Sequence, residues 1–192
     1  MVFHWNIHFA IYIIIFIIII YILSINETIR EEIFGWMLKT PMEANAIFKD
    51  DNINGIITFK EDLQSKDIIV DISLKCNDIS DGKYGLIIYN LGDISEGSNS
   101  LGEHFNPNSR LHGDINSGHI GDLGNIEINN GICKHIWRVK KIKIRGANSI
   151  LGRGIVIHSK EDDLGSADNA ESKKTGNIGE AISYALIGYS RV

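Results

Sequence analysis

Three histidines and an aspartate, His104, His112, His119 and Asp122, fall in one short stretch at spacings of eight, seven and three residues. Neutral imidazoles and one carboxylate suit a divalent metal of borderline softness, and zinc takes four such ligands tetrahedrally. Irregular spacing fits a loop wrapped around an ion better than a helix presenting one face. Taken singly, each histidine reads as a surface residue of a polar loop. Crowded together, with Asn106-Pro107 and repeated glycines shaping the turns, the four read as a metal site. A loop has no ladder to order it, so an ion joining its side chains would supply that order. With three histidines and an aspartate the zinc is fully coordinated, which marks a structural ion and not an open catalytic one.

The elements that must position this loop read as strands. Short β-rich runs at Ile47-Phe48, 55–59, 67–74, 84–91, 125–128, 132–144, 155–158 and 181–189 are separated by Asp, Asn, Gly and Ser. In one of them Ile72, Leu74 and Cys76 alternate with Asp71, Ser73 and Lys75, one face in and one face out, as in antiparallel sheet. About eight strands without a helical run predict an all-β, eight-stranded Greek-key sandwich or barrel. The chain has 192 residues and a formal charge of −5, enough for one domain with an appendage and without a basic face for nucleic acid. Roughly a fifth of the residues are isoleucine, well above ordinary usage. The two cysteines, Cys76 and Cys133, cannot make a disulfide framework and read as buried thiols.

Gly102-Glu103-His104-Phe105-Asn106-Pro107, Ser109 to Gly113 and His119 to Asn125 resemble the zinc loop of the copper/zinc superoxide dismutases. Gly152 to His158, Asp162-Asp163-Leu164-Gly165 and Thr175 to Gly179 resemble that family's last copper ligand and electrostatic loop. The resemblance implies the same β-barrel, zinc ligands His104, His112, His119 and Asp122, and a remnant copper site at His104 (the bridging position) and His158. Asp162 corresponds to the second-shell aspartate that links copper and zinc histidines; Lys174 and Thr175 of the electrostatic loop are retained. The family's His-x-His copper pair corresponds to Ile87 and Tyr89. Isoleucine has no lone pair to give, and a neutral tyrosine is a poor copper ligand. His135, Cys76 and Cys133 match no ligand position. The arginine that guides superoxide corresponds to Ala181, and the intrasubunit disulfide to Ser98 and Tyr184, so the zinc loop is expected to be held chiefly by metal. Tyr84 and Tyr89 read as strand residues, Arg110 and Arg153 as loop braces, Trp36 and Trp137 as packing.

By this resemblance zinc is expected, and tightly held copper is not. The expectation is a superoxide dismutase-like pseudoenzyme similar to the inactive poxvirus proteins. It would act through protein binding, as a decoy for a dismutase or its copper chaperone, or as a virion or membrane component. A homodimer, or a heterodimer with a dismutase or that chaperone, would form through the neighbourhood of Leu91-Gly92 and the last strand at 186–189. The alternative is a residually active copper/zinc superoxide dismutase, converting superoxide to oxygen and hydrogen peroxide. A third reading is a structural sandwich that merely inherits its loop.

The amino-terminal run 9–23 is unbroken apolar sequence. It is short for a membrane span and at the upper limit of a signal peptide's apolar core. No Lys or Arg precedes it and no small-x-small site follows it. A retained anchor and a cleaved signal both remain open, as does the side of the membrane, so the expected placement is membrane-associated or secretory. The predicted organisation is 1–25 anchor or signal, 26–42 linker with a short helix, and 43–192 the dismutase-like domain. Asn26-Glu27-Thr28 is a glycosylation sequon.

Overall fold

The computed structural model describes residues 7–25 and 42–190. The chain divides into two compact units, Met1–Thr40 and Pro41–Val192. In the first, the described residues form helix α1 (Ile7–Ile25). Among the described residues no helix is long and apolar enough to cross a membrane. The expectation of a membrane partner through residues 9–23 is corrected on that ground. The predicted linker helix and the sequon at Asn26 lie outside the described residues, apart from Met42, which is not helical.

The second unit holds eight strands: β1 (Glu43–Lys49), β2 (Ile53–Glu61), β3 (Ile68–Cys76), β4 (Gly82–Ile88), β5 (Asp122–Ile128), β6 (Ile132–Val139), β7 (Gly154–His158) and β8 (Ala181–Tyr189). They form one antiparallel sheet in the order β5-β4-β7-β8-β1-β2-β3-β6. The outermost strands, β5 and β6, are consecutive in sequence and touch, so the sheet curls into a near-closed barrel and the expected Greek-key architecture is found.

Local chemistry explains the curl. Asn129 and Ile132 exchange both backbone hydrogen bonds, and Asn130 and Gly131 between them have φ of 52° and 70°. Two successive left-handed residues make the tight turn whose twist matches that of antiparallel strands, and Asn-Gly is its preferred pair. The predicted alternation in β3 is observed: Ile68, Val70, Ile72, Leu74 and Cys76 point inward. Phe48 from β1 and Phe59 from β2 are fully buried beside them. Each such side chain contributes about 1.5–3 kcal/mol by leaving water. Cys76 and Cys133 are buried free thiols.

Two details differ from the strand reading. β6 ends at Val139, although apolar residues continue to Ile144. Ile142 and Ile144 are buried, but the backbone there leaves the ladder and Lys143 instead pairs with Asn148. A short helix α2 (Ala170–Thr175) also appears; the Asn169 side chain accepts from the Ser172 amide at its start, and Gly176 in the left-handed conformation ends it.

Candidate metal centre

The barrel delivers the four predicted zinc ligands to one place. Asp122 opens β5. His104 follows a 3-10 turn (Gly97–Leu101) and is held to Tyr89, just beyond β4, by an isolated antiparallel bridge. The loop carrying His112 and His119 is tied down by backbone hydrogen bonds from Ile88 to Gly121, from Phe105 to Ile88, from Gly121 to Phe105 and from His112 to Lys173. It is therefore anchored by main chain as well as by any ion, more firmly than expected from the missing disulfide. At those disulfide positions the Tyr184 ring packs against the backbone at Gly97, next to Ser98.

His104, His112, His119 and Asp122 are all buried, and their ligand atoms lie within 4.8 Å of one another. The Asp122 carboxylate stands 3.1 Å from His104 Nδ1, 3.0 Å from His112 Nδ1 and 3.2 Å from His119 Nδ1, and accepts from the His119 amide at 2.8 Å. Burial pushes its pKa up, but bonds to three imidazoles outweigh burial and hold it well below the usual carboxylate range. His112 Nε2 lies 2.7 Å from Asp162 Oδ1. A carboxylate only accepts, so Nε2 carries the proton and, in a neutral ring, Nδ1 offers its lone pair to the centre. That Nδ1 is buried and faces the Asp122 carboxylate at 3.0 Å. Burial lowers the His112 pKa, but Asp122 and Asp162 raise it to about 9. A side chain on Gly176 would strike both His112 Nε2 and Asp162 Oδ1, at a φ of 78°; only glycine lets α2 end against this pair.

The copper side is arranged differently. His104 turns Nδ1 to Asp122, and its Nε2 is buried with no partner. His158, at the end of β7, donates from Nδ1 to the Gly179 carbonyl, so Nε2 keeps the lone pair and accepts from the Tyr89 hydroxyl at 3.1 Å. Burial lowers the His158 pKa to about 4 and raises that of Tyr89 to about 12, so both groups are neutral near pH 7. Ile87 is fully buried but lies outside the main core cluster and offers no donor. Asp162 Oδ2 is also buried without a partner; the resemblance gives it a copper histidine, and isoleucine stands at one such position. Ala181 pairs directly with His158 across β7 and β8.

Residues that sequence reasoning passed over complete the surroundings. Lys141 Nζ donates to the His119 carbonyl at 2.5 Å, and burial lowers its pKa to about 8. Its one visible signal was the charged pair Lys140-Lys141 interrupting the apolar run 132–144. Arg153 lies 3.5 Å over the Phe105 ring and donates to the Asn90 carbonyl, bracing the loop as expected. A cavity of ≈ 640 Å³ opens above the centre, lined by Tyr89, His104, Arg110, Lys173, Lys174 and Thr175. A second of ≈ 340 Å³ reaches His158 past Tyr89, Lys160 and Thr175. The first rim sets Arg110, Lys173 and Lys174 against Glu103 and would draw small anions; the second sets Lys160 against Glu171 and Glu180.

Comparison with known proteins accounts for this arrangement. Residues 53–187 match the family described as copper/zinc superoxide dismutase (SODC). The Cu-Zn superoxide dismutase 5 of Dictyostelium discoideum is 40% identical over 155 residues, covering 79% of this chain and 100% of its own. The Cu-Zn superoxide dismutase of Schizosaccharomyces pombe is 42% identical over 142 residues, 72% of this chain and 92% of its own. The solved structure of the clock protein EA4 superposes with a TM-score of 0.75 at 35% identity, covering 79% of this chain and 97% of that one.

These relatives overturn the pseudoenzyme expectation, since they carry the names of copper–zinc dismutases at this level of identity. The expected loss of the copper site is corrected with it: the family implies copper as well as zinc, and His104 Nε2 and His158 Nε2 remain as donors beside Ile87 and Tyr89. Nothing supports a viral decoy or virion role, or the narrower likeness to inactive poxvirus proteins. The membrane-associated or secretory placement is not supported either: among the described residues no helix is long and apolar enough to cross a membrane, and the relatives carry the names of copper–zinc dismutases. The matched span, the identities and the shared barrel place the chain in the copper/zinc superoxide dismutase family.

Proposed function

We propose that this chain is a copper/zinc superoxide dismutase, converting two superoxide anions and two protons to oxygen and hydrogen peroxide. Zinc is assigned to His104, His112, His119 and Asp122, and copper to a site that includes His104 and His158. The observation that carries the reading is the two-sided His104, with Nδ1 in the four-residue cluster and a buried Nε2 that has no other partner. One imidazole so placed can serve two ions. The donor set suits zinc, and imidazole nitrogens suit copper.

Copper, when bound, supplies the one-electron exchange with superoxide. The chain's own residues do the rest. Lys173, Lys174 and Arg110 line the cavity and attract the anion without an arginine at Ala181. Asp162 orients His112 through its Nε2 proton. The protein loaded with both metals should dismutate superoxide well above an equal amount of free copper. Activity no greater than free copper, in protein holding both ions, would refute the proposal.

The division at 26 and 43 and the mode of assembly belong to the same reading. All eight strands fall within the unit Pro41–Val192, which supports a domain over 43–192. Members of the family are commonly dimers, and Leu91, Leu186 and Tyr189 are exposed apolar residues where the resemblance puts the contact. A homodimer follows, to be checked by sedimentation of the full chain and of Leu186→Glu.

A further inference from the structure

Tyr89 is more than a space-filling strand residue. Its ring meets the His104 ring edge-on at 5.3 Å and lies nearly parallel to the His158 ring at 6.0 Å. It lines both the cavity that reaches His104 and the one that reaches His158. A tyrosine that merely fills the place of a smaller residue would turn its hydroxyl to water or to backbone. This hydroxyl goes instead to His158 Nε2, at 3.1 Å, the atom left to bind an ion once Nδ1 is committed to Gly179.

On the other side stands His104 Nε2, buried and unpartnered. The His104 and His158 rings thus flank one tyrosine, each with an Nε2 that the zinc-type cluster does not use. Ile87, at the remaining family position, contributes nothing. Nitrogen with oxygen is a donor set that suits copper(II).

We propose that Tyr89 is a copper ligand, forming with His104 and His158 a two-nitrogen, one-oxygen site that favours the oxidised ion. On ligation the phenol O–H bond breaks and an O–Cu bond forms. The proton leaves to solvent through the cavity beside Thr175, and no electron moves. His158 Nε2, released from its hydrogen bond, turns its lone pair to the same ion. The inference rests on the dismutase reading only in taking copper as the metal.

The test titrates copper(II) into the zinc-loaded full chain and follows visible absorption, electron paramagnetic resonance and competition with a chelator. The wild type should take up one copper with a phenolate-to-copper(II) charge-transfer band. Tyr89→Phe should lose the band and bind copper more weakly by over the roughly 10–100-fold that loss of an outer-shell partner costs. Tyr89→His should keep copper, lose the band and show an added nitrogen coupling. Zinc content and melting temperature establish that each variant is folded.

Copper bound by the wild type without the band, an unchanged spectrum and affinity in Tyr89→Phe, or no copper uptake would each overturn the assignment. Dismutation assayed on the same samples separates the two readings. Activity without the band removes the ligand and keeps the dismutase; the band without activity does the reverse.

Discussion

Asp122 is in contact with all three imidazoles of the cluster and has no exposure to solvent. Its charge is what lets three rings crowd together in the metal-free protein. Asp122→Asn should therefore destabilise that form by about 3–5 kcal/mol, the usual consequence of breaking a buried charge pair, and should abolish zinc uptake; denaturant titration and metal analysis read the two effects. His112 gives the centre its pH dependence. Its pKa is raised to about 9 from an ordinary value of about 6.5. The stabilisation from its carboxylate partners is then fully present below about 6.5 and fades as pH rises through about 9. Zinc uptake has the opposite sign, because the ion must displace a proton from His112. Melting of the metal-free protein should fall between pH 7 and about 9 while zinc affinity climbs. Affinity independent of pH across that range would contradict the assignment of His112.

At the scale of elements, the β5–β6 hairpin decides whether the sheet curls. Gly131→Ala places a Cβ at φ 70° and 2.8 Å from the Cys76 carbonyl. Left-handed strain alone costs about 1–2 kcal/mol, so the urea midpoint should drop by at least that equivalent. Gly131→Asn, which tolerates φ > 0, should lose less. Asp122 is the first residue of β5, so the same change is expected to loosen zinc, read as faster loss to a chelator. The His119 side of the loop has a second hold in Lys141, which reaches in from just beyond β6. Strand ends and loop thus share the metal centre, and neither is positioned without the other.

For the whole molecule, the consequence is that metal and fold are linked. The chain lacks a disulfide at Ser98 and Tyr184, a bond worth about 2–5 kcal/mol in small domains. Backbone bonds and the buried cluster take over that duty. An ion bound only by the folded chain stabilises by about 4 kcal/mol at a thousandfold excess over its Kd. The melting temperature should accordingly rise with free zinc and fall on chelation, while far-ultraviolet dichroism keeps a β spectrum. A melting temperature indifferent to zinc would mean that the cluster does not hold it.

Much of this was legible in one dimension. Alternation over 71–76 and the runs at 155–158 and 181–189 encode antiparallel strands through local periodicity, which needs no tertiary information. The clustering of His104, His112, His119 and Asp122 was legible because residue type and crowding in a loop already specify a donor set, and the family resemblance implies their roles. The end of β6 at Val139 was not legible, because an apolar run looks the same whether its backbone stays in the ladder or packs as buried loop. The bond from Tyr89 to His158, the lone Nε2 of His104, the unpaired oxygen of Asp162 and the reach of Lys141 were decided only by the fold. Each depends on where a side chain points after the barrel has closed and brought distant segments together. Reading Ile87 and Tyr89 by type alone made both lost ligands, and together with Ala181 they led to the pseudoenzyme expectation. The chain determined which atoms could bind metal; the closed barrel determined which of them meet.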